Sequence, residues 1–313
     1  MSEKPVLLQI CQFQDFLERG LAERFHIVKW HQTSNSAAWL ADHADKVRAI
    51  ATSATVGVST ELMACLPALE IIAIYGVGFE CVDLEAARRR NVRVSYTPDV
   101  LTDDVADLAV GLTIALLRRI TSAERFVREG HWASGSTIAL SRRVSGSRFG
   151  IVGLGRIGLA IAARLSPFGP ISYTATSEKP APYRFEPDLI ELARWSDVLI
   201  VSALANSKTR HLIDSKIIDA LGPQGYLVNI SRGALVDEPA LIAALTEGRI
   251  AGAALDVFAN EPNVPAELRQ LPDVVLTPHV ASATSETRHA MAQLVLDNLD
   301  AHFAGTALPS QLV

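Results

Sequence analysis

Cysteine is scarce in this 313-residue chain, with 3 in all. Cys11, Cys65 and Cys81 form no CxxC pair and no zinc-ligand spacing, so neither a disulfide framework nor a metal site is indicated. They read as small apolar fillers of a reducing compartment. Charge is sparse too, at 20% of residues, and 29 basic against 34 acidic side chains leave −5. No stretch is strongly basic, which counts against a nucleic-acid surface. Long apolar runs are missing. The longest uncharged one, residues 108–117, is well short of the ~20 residues that cross a bilayer. The start, Met1-Ser-Glu-Lys-Pro5, lacks the basic opening and small-residue cleavage site of a secretory leader. A cytoplasmic protein with no membrane attachment is expected.

What the chain has in quantity is apolar side chain, 49% of residues. Parallel sheets covered on both faces produce that composition without a membrane. At ~150 residues per domain, the length suggests two domains.

Short β-branched runs at residues 6–10, 26–30, 48–52 and 71–75 alternate with helical patterns at 15–22, 36–44 and 60–65. This rhythm implies a parallel α/β sheet, closing near 92–94. Tyr96-Thr-Pro-Asp99 breaks the pattern, since proline fixes its φ and disfavours helix before it. A long helix is predicted from Thr102 as N-cap, through Asp103 and Asp104, towards Arg118-Arg119. Residues 130–146, including Trp132, read as loop. A second series follows, with strands at 149–152, 171–174, 198–202, 226–230, 252–255 and near 274–276, and a final helix over 285–303. Two doubly wound α/β domains are expected.

Gly153-Leu-Gly-Arg-Ile-Gly158 follows the strand at 149–152 and opens a helix. That context is what a dinucleotide-binding (Rossmann) turn requires. Gly153 would make the tight turn, Gly155 would admit a pyrophosphate, and Gly158 would let helix and strand pack closely. The N–H groups around Arg156 and Ile157 would receive the phosphates. The end of the next strand reads Tyr173-Thr-Ala-Thr-Ser-Glu-Lys179. No acid occupies 173–177 to hold a free ribose. Thr176 and Ser177 offer hydroxyls and Lys179 a positive charge, which favours NADPH. Glu178 keeps NADH open.

Three further groups follow strand ends: Asn229-Ile-Ser-Arg-Gly233, Asp256-Val-Phe-Ala-Asn-Glu-Pro262 and Thr277-Pro-His-Val-Ala-Ser282. In open parallel sheets, ligands bind outside the carboxyl ends of strands. Arg232 can fork onto the carboxylate of a 2-oxo acid and polarise its carbonyl. His279 can donate a proton to the developing alkoxide. Glu261 can bond the other imidazole nitrogen and orient the ring. Histidines such as His26, His43, His131, His211, His289 and His302 have no such context and read as surface or packing residues. No metal site is expected.

With Tyr75-Gly-Val-Gly78, the Asp99–Asp107 run, Gly150-Ile-Val-Gly-Leu-Gly-Arg-Ile-Gly158, Leu255-Asp-Val-Phe258 and Pro278-His-Val-Ala-Ser-Ala283, the whole chain resembles the D-isomer-specific 2-hydroxyacid dehydrogenases. Within them it is most similar to the glyoxylate/hydroxypyruvate reductases. The resemblance implies a substrate-binding domain of residues 1–98 plus 282–313 and a cofactor domain of 99–281, separated by a cleft. It implies the roles already given to Arg232, Glu261 and His279. Val77 and Gly78 would present N–H groups to the substrate carboxylate. Asp256 would contact the nicotinamide amide, Leu204, Ile230 and Arg232 would line the nicotinamide side, and Thr102 would lie near the cofactor. Family members are homodimers, and Trp132 matches a tryptophan that closes the neighbouring subunit's site. One departure stands out: Thr176 occupies a position where NADPH-using relatives often carry arginine.

The expected activity is NADPH-dependent reduction of glyoxylate to glycolate and of hydroxypyruvate to D-glycerate. A lactate- or phenylpyruvate-type reductase of the same family is the nearest alternative. A dinucleotide-sensing binding protein is the alternative from another class.

Overall fold

Each β-branched run forms a short strand, and each strand is followed by a chain segment that crosses back over the sheet. The computed structural model describes residues 4–313. Met1, Ser2 and Glu3, read above for a leader, lie outside the described residues. The chain divides into two units, Met1–Leu101 with Ala283–Val313, and Thr102–Ser282.

The first unit is built on β1 (Val6–Gln9), β2 (His26–Lys29), β3 (Val47–Ser53), β4 (Ile71–Tyr75) and β5 (Arg93–Ser95). They lie in the order β2-β1-β3-β4-β5, every neighbouring pair parallel. β4 is buried along its whole length, as a strand covered on both faces must be. Four of its helices start on side-chain caps: Asn35, Ser59, Asp83 and Thr284 each accept an N–H that the first turn cannot satisfy. The final helix, Ser285–Phe303, buries Met291, Val295, Leu296 and Leu299. Gly20 allows its close approach, because a Cβ there would stand 2.5 Å from Leu296 Cδ1. Arg24 bonds Asp300 at 2.8 Å and His302 bonds Glu70 at 3.0 Å, tying both ends of this unit's sequence together.

The second unit opens with the helix Thr102–Leu117. Its strands are β6 (Phe149–Val152), β7 (Ile171–Thr174), β8 (Arg184–Phe185), β9 (Val198–Val201), β10 (Tyr226–Asn229), β11 (Gly252–Leu255) and β12 (Val274–Leu276). The order is β12-β11-β10-β9-β6-β7-β8, again all parallel. The chain runs outward from β6 to β8, then returns to the other side of β6 as β9. The strand order therefore switches direction beside β6, the place where doubly wound sheets bind ligands.

The structure corrects four local expectations. Thr102 is the first helical residue, not a cap. The helix does not continue through Arg118-Arg119: Arg119 is left-handed, at φ 52°, and a separate amphipathic helix, Ile120–Arg128, follows with no buried residue. β8 was not foreseen, since two residues carry no readable periodicity. Cys65 and Cys81 are exposed, and Cys11 is half-buried, so none is a fully buried filler. No described helix is long and apolar enough to cross a membrane.

Candidate active site

The glycine turn leaves β6 with Gly153 at φ 93°. A Cβ on Gly153 would stand 2.6 Å from Ala203 Cα, and one on Gly158 would collide with the Gly153 carbonyl oxygen. Both positions therefore need glycine on packing grounds. Gly155 differs: nothing lies within 4 Å of where its Cβ would be. It is the N-cap of the helix Arg156–Leu165 and offers no side-chain cap. No side chain therefore caps that first turn, and the space over Gly155 is open, as a phosphate cradle requires. This arrangement fits a dinucleotide pyrophosphate. Ser202 Oγ donates to the Gly153 carbonyl at 2.7 Å and stiffens the turn.

At the end of β7, Thr176 and Ser177 are exposed and Lys179 is half-buried. Lys179 Nζ donates to Ser177 Oγ at 3.4 Å, so a hydroxyl and an ammonium share one spot. Arg156 is exposed and Ile157 half-buried on the helix that follows the glycines. After β9, Leu204 is 53% exposed, an apolar surface left without cover at a strand end. Ile230, after β10, is buried.

Arg232 sits in a turn built by Asn229. Asn229 Oδ1 accepts the Ser231 N–H at 3.1 Å, and Asn229 Nδ2 donates to the Arg232 carbonyl at 3.0 Å. Ser231 Oγ reaches Ala203 O at 2.6 Å. These bonds fix the backbone from which the guanidinium projects.

Glu261 and His279 come together. His279 Nδ1 lies 2.7 Å from Glu261 Oε2, and the Phe258 N–H donates to Oε1 at 3.0 Å. A carboxylate only accepts, so Nδ1 carries the proton of this bond. Nε2 has no partner among the described residues. Burial pushes the Glu261 carboxyl up. The bonds from His279 and Phe258, with the charges of His279 and Arg232, outweigh that and hold it below its ordinary 4.5. Glu261 is thus anionic at neutral pH.

His279 has φ 53°, a left-handed conformation that costs a non-glycine residue about 1–3 kcal/mol. Asp256 supplies the compensation. It is fully buried. Its carboxylate accepts from Thr277 Oγ1 at 2.6 Å, Val280 N–H at 2.9 Å and Ala281 N–H at 2.9 Å. Its carbonyl accepts the His279 N–H at 2.8 Å. Asp256, expected at the nicotinamide amide, here organises the loop that presents the imidazole. Sequence reasoning missed this role, although an acid at the end of an apolar strand was a usable signal.

Thr102 is half-buried at the start of its helix, and Trp132 stands 71% exposed in the loop after Ile120–Arg128. Val77 and Gly78 belong to the first unit, in the loop after β4. Gly76 anchors that loop, exchanging bonds with Thr97 at 3.0 and 2.9 Å. The N–H groups of Val77 and Gly78 donate to nothing among the described residues. Among those residues no group of three or more His, Cys, Asp or Glu could hold a metal.

Residues 110–281 match the family described as D-isomer specific 2-hydroxyacid dehydrogenase, NAD binding domain. A glyoxylate/hydroxypyruvate reductase A of Arabidopsis thaliana is 46% identical over 98% of both chains. A hydroxyphenylpyruvate reductase of Plectranthus scutellarioides is 47% identical over 98% of both. The solved NADPH-dependent glyoxylate/hydroxypyruvate reductase of Sinorhizobium meliloti, in complex with NADP and malonate, is 39% identical. It matches with a TM-score of 0.92 over 99% of this chain and 97% of that one. The chain belongs to the D-isomer-specific 2-hydroxyacid dehydrogenases.

Proposed function

We propose that this enzyme reduces small 2-oxo acids, glyoxylate and hydroxypyruvate first among them, with NADPH preferred over NADH and His279 as proton donor. The observation that carries this reading is the His279–Glu261 pair, with Nδ1 engaged at 2.7 Å and Nε2 left available. The names of the Arabidopsis and Sinorhizobium relatives support the substrates. Ser177 and Lys179 beside one another support the 2′-phosphate of NADPH.

Gly153, Gly155, Arg156 and Ile157 would hold the pyrophosphate, and Thr102, Leu204, Ile230 and Asp256 would belong to the surroundings of the dinucleotide. The nicotinamide, when bound, supplies the hydride for the carbonyl carbon. Arg232 grips the substrate carboxylate with its fork and polarises the carbonyl. In the first unit, the unengaged N–H groups of Val77 and Gly78 are donors suited to a carboxylate. His279 passes the proton on Nε2 to the carbonyl oxygen, while Glu261 holds Nδ1 and stabilises the imidazolium beforehand.

A bulkier 2-oxo acid is the second reading, favoured by the hydroxyphenylpyruvate reductase at 47% identity. A steady-state panel of glyoxylate, hydroxypyruvate, pyruvate and arylpyruvates, each with NADPH and NADH, separates the two. A higher kcat/KM for an arylpyruvate, or for NADH, refutes the corresponding half of the proposal.

The working form is a homodimer. Ile120, Val127, Trp132, Ile138 and Leu140 are exposed apolar residues concentrated between 120 and 140, a density that calls for a partner. The three free cysteines suit the cytoplasm.

A further inference from the structure

We infer that Tyr173 is a positioning residue for cofactor discrimination: its buried hydroxyl sets the turn 174–179 that meets the adenosine ribose. Tyr173 is among the largest fully buried side chains, with none of its surface exposed. A hydroxyl so placed needs partners, and one residue supplies both. The Lys179 N–H donates to the hydroxyl at 2.7 Å, and the hydroxyl donates to the Lys179 carbonyl at 3.2 Å. The side chain therefore clasps the far end of the turn to the core. Phe185 of β8 pairs with Tyr173 in register and lies against its ring, centroids 5.4 Å apart. That contact gives the two-residue β8 a purpose.

The near end of the turn is tied as well, because the Gly153 N–H donates to the Thr174 carbonyl at 2.8 Å. One end is thus bound to the pyrophosphate turn and the other to Tyr173. Between them Thr176, Ser177 and Glu178 are exposed. These side chains carry opposite messages for a 2′-phosphate. Ser177 and Lys179 attract it, and Glu178 repels it. Which of them faces the ribose depends on how the turn is held, and the clasp holds it. This rests on the reading that the turn after β7 meets the ribose, and deepens the NADPH proposal.

The test measures binding of two cofactor fragments, 2′,5′-ADP and 5′-AMP, to the unsubstituted protein and to Tyr173→Phe. The readout is the ratio of the two Kd values. We expect the ratio to change roughly five- to tenfold, with 5′-AMP within about twofold of its original Kd, since two bonds to one residue are lost. An unchanged ratio, or equal weakening of both fragments, overturns the inference. A second comparison avoids the core. Lys179→Pro and Lys179→Ala both lack the ammonium, but only the proline also lacks the N–H that reaches Tyr173. The ratio should differ several-fold between them; equal ratios overturn the inference. If the unsubstituted protein favours 5′-AMP, the NADPH preference fails alone, and the change in ratio still decides the role of Tyr173.

Discussion

His279 Nδ1 stands 2.7 Å from Glu261 Oε2, so the imidazole is fixed by one nitrogen and leaves the other for chemistry. His279→Ala should lower kcat by about 10²–10⁴-fold, the usual contribution of a positioned acid. Dinucleotide affinity should fall far less. Steady-state reduction of glyoxylate and direct NADPH titration check both. Retained turnover removes His279 from the proton-donor role.

Glu261→Gln should cost roughly ten- to a hundredfold in kcat, a fraction of what the acid itself contributes. Its pH signature is specific. The folded carboxyl lies below its ordinary 4.5, so ionisation of Glu261 favours the folded state. That stabilisation is complete above 4.5 and is lost as pH falls through the lower folded value. Below pH 4.5 the stability difference between the unsubstituted enzyme and Glu261→Gln should shrink and then disappear. Urea unfolding at a series of pH values reads it, and a difference that grows as pH falls contradicts the assignment.

Asp256→Ala strips the acceptor from Thr277 Oγ1 and from the N–H groups of Val280 and Ala281. Each buried donor left unmade costs about 1–3 kcal/mol, so a loss of several kcal/mol is expected. Because His279 occupies a left-handed backbone held by this loop, kcat should fall as well. Thermal unfolding and initial rates test the pair of effects together.

The glycines of the turn should separate into two kinds. Gly155→Ala meets open space, so Tm should hold while the Kd for either dinucleotide rises by roughly tenfold or more. Gly158→Ala strikes the Gly153 carbonyl and should lower Tm as well as affinity. Calorimetry against dinucleotide titration distinguishes them.

Leu140→Asp places a charge at a side chain 97% exposed. It should leave the fold of each chain intact while raising the dimer Kd at least about tenfold. Sedimentation equilibrium reads the outcome, and an unchanged association rules residue 140 out of the interface.

Long periodic elements could be read directly. The final helix was expected over 285–303 and is found at Ser285–Phe303, because a long apolar stripe with a threonine cap leaves little choice. The strands of both sheets also lie where β-branched runs placed them, since a strand covered on both faces has no polar alternative. The short pieces were not legible. β8 exists because Phe185 packs on Tyr173, and the break after Leu117 exists because Arg119 adopts φ 52°. Neither cause is local enough to leave a pattern.

The excess of apolar residues without long apolar runs, together with β-branched runs alternating with helical patterns, was enough to indicate two parallel α/β sheets. Glycine spacing after a strand was enough to indicate a dinucleotide turn, because only glycine tolerates those backbone approaches. What the tertiary structure alone decided is the employment of the polar residues inside. Asp256 organises the His279 loop, Asn229 shapes the Arg232 turn and Tyr173 clasps Lys179. A buried polar group must find partners, and which partners it finds depends on strands that meet only in the folded sheet.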